Sequence, residues 1–149
     1  MNMEHFPPQR IAYIRQTGPY GPRNKQTMEA LKDWARRHHL LTESATLYGI
    51  AQDNPETTSP EQCRYDACIV LPTPFQVDNH VQEAMLPGGL YAVFSVQHTA
   101  GAIQLAWQQI FGVIQQNEYQ LDNRSILEKY SGDMTMQANC EICVPVRQA

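Results

Sequence analysis

The order strand, helix, strand, strand occurs twice along this chain of 149 residues, and that repetition limits the possible folds more than any other feature. In the first half, residues 10–15 (RIAYIR) read as a strand stopped by the loop TGPYGP at 17–22. Residues 24–39 follow with Met28, Leu31, Trp34 and Ala35 at helical spacing, and strands are expected at 46–51 (TLYGIA) and 64–71 (RYDACIVL). The second half opens at PGG (87–89) and a strand at 90–96 (LYAVFSV). Ile103, Ala106, Trp107, Ile110, Phe111 and Ile114 then mark a second amphipathic helix, with further strands at 126–130 and 139–146. Trp34 and Trp107 are 73 positions apart, as are Pro72 and Pro145, which suggests an internal duplication read at that offset. The expected architecture is α+β: one domain over 1–149 whose repeats, about 8–72 and 88–146, are βαββ units related by a pseudo-twofold. Short connections within each pair of strands favour an antiparallel sheet, with both helices on one face and a central ligand cleft where the units meet.

Composition narrows the function. With 42% hydrophobic and 17% charged residues the chain is that of a folded domain, and a net charge of −4 argues against direct binding of nucleic acid. No apolar run is long enough to span a membrane and no signal-like stretch opens the chain, so a cytoplasmic protein is expected. Cys63, Cys68, Cys140 and Cys143 fall in or beside strands at odd spacings, which send paired side chains to opposite faces. They are read as buried reduced thiols, with neither a metal nor a cofactor implied. The sequence contains no Gly-x-Ser-x-Gly elbow, and no Cys–His pair shares a motif.

Six segments taken in order resemble the GyrI-like (gyrase-inhibitor-like) superfamily: IAYIRQTGPY at 11–20, YGIAQDNP at 48–55, CRYDA at 63–67, PGGLYAVF at 87–94, LEKY at 127–130 and EICVPV at 141–146. The same domain is the effector-binding half of multidrug-responsive regulators of the AraC and MerR types. The resemblance covers nearly the whole chain and leaves no residues for a helix-turn-helix segment, so a stand-alone effector-binding module is expected. It implies a pocket for lipophilic organic cations, built from a buried carboxylate and aromatic rings.

Glu141 is the first candidate for that carboxylate. It stands opposite the apolar stripe Cys140, Ile142, Val144, Val146, it matches the family's final-strand motif, and at the 73-residue offset its counterpart is the neutral Cys68. Glu128 and Tyr130, two apart and so on one face, fit a Glu-x-Tyr motif of the family. Trp107 is read as a pocket wall continuous with the core and Phe111, one turn on, as its extension; Tyr48 and Tyr91 match motif positions as further rings. Three functions are ranked: a binder of hydrophobic cationic molecules that performs no chemistry, then a hydrolase opening cyclopropanoid toxins, then a protein that contacts gyrase or the transcription machinery.

Overall fold

The six strands expected from alternation are all present, and three short ones join them. The computed structural model describes residues 1–131 and 139–149. Its elements are β1 (Asn2–Phe6), β2 (Gln9–Thr17), α1 (Pro22–Arg37), β3 (Thr46–Ala51), β4 (Arg64–Val70), β5 (Gln82–Leu86), β6 (Gly89–Gln97), α2 (Ala100–Gln116), β7 (Tyr119–Leu121), β8 (Leu127–Ser131) and β9 (Asn139–Gln148). Eight strands form one curled antiparallel sheet in the order β1-β6-β9-β8-β3-β4-β2-β5, and β7 pairs with β9. The middle of that order is symmetric: β6-β9-β8 on one side of the seam is matched by β2-β4-β3 on the other. The two βαββ units therefore join where β3 pairs with β8.

Both helices pack on the same face of the sheet. Met28, Leu31, Trp34 and Ala35 of α1 are buried against Ala12, Leu47, Ala67 and Ile69. Ile110 and Ile114 of α2 close over Ala92, Ile142, Val144 and Val146. Local chemistry sets the helix ends. Pro22 opens α1, where a missing N–H costs nothing. The Ala102 N–H donates to the Thr99 hydroxyl at 3.2 Å and caps α2. The opposite face is also covered: Ile11, Tyr48, Ile50, Cys68, Tyr91, Val93, Leu127 and Cys143 form its buried cluster.

The registers revise the offset drawn from the sequence. Tyr13 pairs with Cys68 in the first unit, and Val93 with Cys143 in the second. Arg15–Asp66 and Ser95–Glu141 lie two residues further along the same pairs of strands. The counterpart of Cys68 is thus Cys143, and the counterpart of Glu141 is Asp66. In the helices, Leu31 and Ala35 match Ile110 and Ile114 as the buried pair one turn apart. Trp107 then corresponds to Met28. Trp34 instead packs edge-on to Phe75 and donates its indole N–H to Asp78 at 3.1 Å. The matching tryptophan and proline numbers do not mark equivalent positions. Arg64 bonds Asp53 at 2.9 Å, and Asp66 accepts from Arg15 Nε and Nη2 at 2.8 Å each.

Candidate functional site

A cleft of about 740 Å³ opens over the β3–β8 seam on the helix-bearing face. Such a volume suits a drug-sized molecule. One wall is α1, through Asn24, Lys25, Met28, Glu29 and Lys32. The other is the start of α2 with the residues before it, His98, Thr99, Ala100 and Ile103. Ala51, Tyr65, Glu128 and Tyr130 form the floor.

The floor is laid by register. Glu128 pairs with Gly49 across the seam, and Gly49 pairs in turn with Ala67. Gly49 has no side chain to occupy the strip between them. The Tyr65 hydroxyl lies only 2.6 Å from where a Cβ on Gly49 would stand, so the ring lies across the glycine toward the seam. From the other side, Tyr130 donates its hydroxyl to Glu128 Oε2 at 2.7 Å. His98 leans on the Tyr130 ring, with centroids 5.1 Å apart. Burial, then the Glu128 charge, pushes the Tyr130 and Tyr65 phenols well above their ordinary range. Both phenols therefore stay neutral, and Tyr130 is the one that donates to the half-buried carboxylate.

Of the residues singled out from sequence, the cleft brings together Glu128 and Tyr130. Glu141 lies on the other face of the sheet. Its neighbour by register is Lys129, whose Nζ is 3.9 Å from Glu141 Oε1, and the side chain is 39% exposed. Alternation had separated Glu141 correctly from the apolar stripe but could not tell which side carries the helices. Tyr48 is buried in that same opposite cluster and donates to Gln9 Oε1 at 2.7 Å. Tyr91 stacks on Phe6 at 4.8 Å, with the Arg124 guanidinium over its ring. Trp107 packs half-buried beside the α2 cluster, and Phe111, 41% exposed, lies 6.0 Å from it; neither lines the cleft.

Tyr65, His98, Met28, Ile103 and Lys32 line the cleft without having been picked out. Tyr65 stood in the CRYDA segment and was legible there. Lys32 was not, since a lysine on an amphipathic helix is ordinarily solvated. Among the described residues no group of three or more His, Cys, Asp or Glu could hold a metal ion. No helix of the described residues is long and apolar enough to cross a membrane.

The architecture is a curled sheet with two helices on one face and a cleft between its half-units. The chain belongs to the GyrI-like family: the GyrI-like small-molecule-binding domain matches it over residues 1–147. It is 40% identical over 148 residues to the SPbeta prophage-derived YosT of Bacillus subtilis (strain 168), which bears a transcriptional-regulator name, covering 99% of each chain. DNA gyrase inhibitor 2 of Dickeya dadantii (strain 3937) is 30% identical over 131 residues, 85% of this chain and 82% of that one. In fold it resembles the EcmrR C-terminal domain, with a TM-score of 0.73 at 13% identity over 99% of this chain and 97% of that one. It also resembles SAV2435 bound to tetraphenylphosphonium, with a TM-score of 0.58 at 13% identity over 98% and 93% of the two chains.

Proposed function

We propose that the cleft binds lipophilic organic cations, with Glu128 as the charge partner and Tyr65, Tyr130 and His98 as the aromatic surround. The observation that carries this is the placement of Glu128 on the cleft floor, fixed by the Tyr130 hydroxyl at 2.7 Å. A cation entering the cleft gives up hydration, and a carboxylate in a partly dehydrated site replaces much of it. Each aromatic face adds about 0.5–2 kcal/mol without demanding one ligand shape. Met28 and Ile103 supply apolar surface on the two walls. The fold neighbour SAV2435, bound to tetraphenylphosphonium, supports the reading by analogy.

Calorimetric titration with tetraphenylphosphonium tests it. Glu128→Gln keeps an acceptor for Tyr130 but removes the charge, and is expected to weaken binding at least tenfold, about 1.4 kcal/mol. Glu141→Gln, on the other face, is expected to leave affinity within twofold. Equal affinities for wild type and Glu128→Gln overturn the charge argument.

The Tyr130–Glu128 hydrogen bond also favours a second reading, a hydrolase of strained-ring toxins. Glu128 would accept a proton from a water that attacks the ring carbon, while Tyr130 holds the carboxylate in line. The strained C–C bond would break, its electron pair passing into the conjugated system of the toxin, which would then take the proton back from Glu128. Mass analysis after incubation with a cyclopropane-bearing alkylator checks this: a water-added, ring-opened product that Glu128→Gln no longer forms supports it, and unchanged alkylator removes it.

A further inference from the structure

The α1 wall of the cleft contains a buried cation. Lys32 lines the cleft yet is only 4% exposed. Among the described residues its Nζ has one ion-pair partner, Glu29 Oε1 at 3.4 Å, a long contact to a carboxylate that is itself 48% exposed. An ammonium removed from water needs close acceptors to offset its lost hydration, and a single long contact to a solvated partner offsets little. An ammonium has three N–H donors, and Glu29 occupies one of them. Glu128, on the floor, is occupied by Tyr130 and lies on a different element. The cleft therefore offers a negative group below and a positive, donor-rich group on one wall.

We infer that the preferred ligand is zwitterionic: a flat or branched apolar body whose cationic centre meets Glu128 and whose carboxylate, or a similar anionic oxygen, meets Lys32. This rests on the cation-binding reading of the same cleft and narrows its ligand class. A ligand with only a positive charge satisfies Glu128, leaves Lys32 with its one long contact to Glu29, and is repelled by that ammonium. One with an added carboxylate supplies a closer acceptor than Glu29 gives Lys32, and two charges in fixed directions also orient the ligand.

Rhodamine 6G and its free acid test this, because they share one cationic xanthene body and differ in having an ester or a carboxylate. Fluorescence anisotropy at pH 7.5 would give both affinities for wild type, Glu128→Gln, Lys32→Met and Lys32→Gln, with each variant's fold checked by thermal melt. The wild type is expected to bind the free acid at least fivefold tighter than the ester. Lys32→Met, which keeps the length of the stem but not the charge, is expected to erase that preference and to tighten ester binding. Glu128→Gln should weaken both dyes. A wild type that binds the ester as tightly as the acid overturns the zwitterion inference without any variant, and leaves the cation reading standing if Glu128→Gln still weakens both. If Glu128→Gln weakens neither, the cation reading fails, and the inference built on it fails too. A preference for the acid that survives in both folded Lys32 variants also overturns the assignment of Lys32.

Discussion

At the level of single residues, the cleft depends on an atom that is missing. Gly49 sits between Ala67 and Glu128 in register, and a Cβ there would fall 2.6 Å from the Tyr65 hydroxyl and 3.3 Å from its ring. Gly49→Ala should therefore lift the Tyr65 ring off the seam and into the space a ligand needs. The expected cost is about 1–3 kcal/mol of stability from overpacking, read from urea midpoints, together with weaker binding of tetraphenylphosphonium. Adding Tyr65→Leu should restore most of the lost stability, since the clash is with the ring and not the backbone; failure to restore it would place the strain elsewhere. Single residues also show where the sequence stops being informative. Glu128 and Tyr130 were legible as a pair because a spacing of two fixes a shared face. Glu141 was equally visible, but its environment depends on register with Lys129 and on which face the helices cover. Neither of those is written in the local pattern. The burial of Lys32 has the same origin, because the fold turns that flank of α1 toward the cleft.

At the level of elements, the unexpected feature is an exchange of leading strands. β1 leads into β2 but pairs with β6, while β5 leads into β6 but pairs with β2. Each unit thus lends its first strand to the edge of the other, in addition to the shared β3–β8 seam. Six strands were readable from alternation, whereas β1 and β5 are short edge strands with polar residues and mixed exposure. Their pairing is decided by long-range partners. The anchor of β1 is Phe6, which stacks on Tyr91 at 4.8 Å and lies under the Lys129 ammonium at 5.1 Å. Phe6→Ala should lower stability by about 2 kcal/mol through lost apolar burial and stacking. Met85→Ala on β5 removes a side chain that is 61% exposed and should change stability by less than about 0.5 kcal/mol. Parallel urea titrations check the pair, and equal effects would mean that β1 is not fixed through Phe6.

Across the whole molecule, the sheet is covered on both faces, and this places thiols and phenols of both faces away from water. All four cysteines are buried and free. Burial pushes the Cys140 thiol up to about 11 and Cys143 to about 12, and raises Cys68 further. The Tyr48, Tyr65 and Tyr130 phenols are raised for the same leading reason. A group whose acidity is weakened by folding keeps its proton in the native state while the unfolded chain releases it. Native protein then binds more protons than unfolded protein, so stability falls as pH rises above the unfolded values. For the thiols the fall begins near pH 8.5, and for the phenols near pH 10. Each such group contributes a slope of about 1.4 kcal/mol per pH unit once its unfolded form has ionised, and three thiols together give about 4. The urea midpoint should therefore hold steady with respect to these groups up to about pH 8 and then drop steeply, with unfolding between about pH 9.5 and 11 for a domain of ordinary stability. Two readouts check this. A thiol reagent at pH 8 should react slowly with native protein and quickly, at all four cysteines, once urea unfolds it. Tyrosinate absorbance in an alkaline titration should rise for the buried phenols together with the loss of far-UV signal. Ionisation of the Tyr48, Tyr65 or Tyr130 phenol near pH 10 while the far-UV signal is unchanged, assigned by the loss of that tyrosinate absorbance in the matching Tyr→Phe variant, would show that its face is open to water.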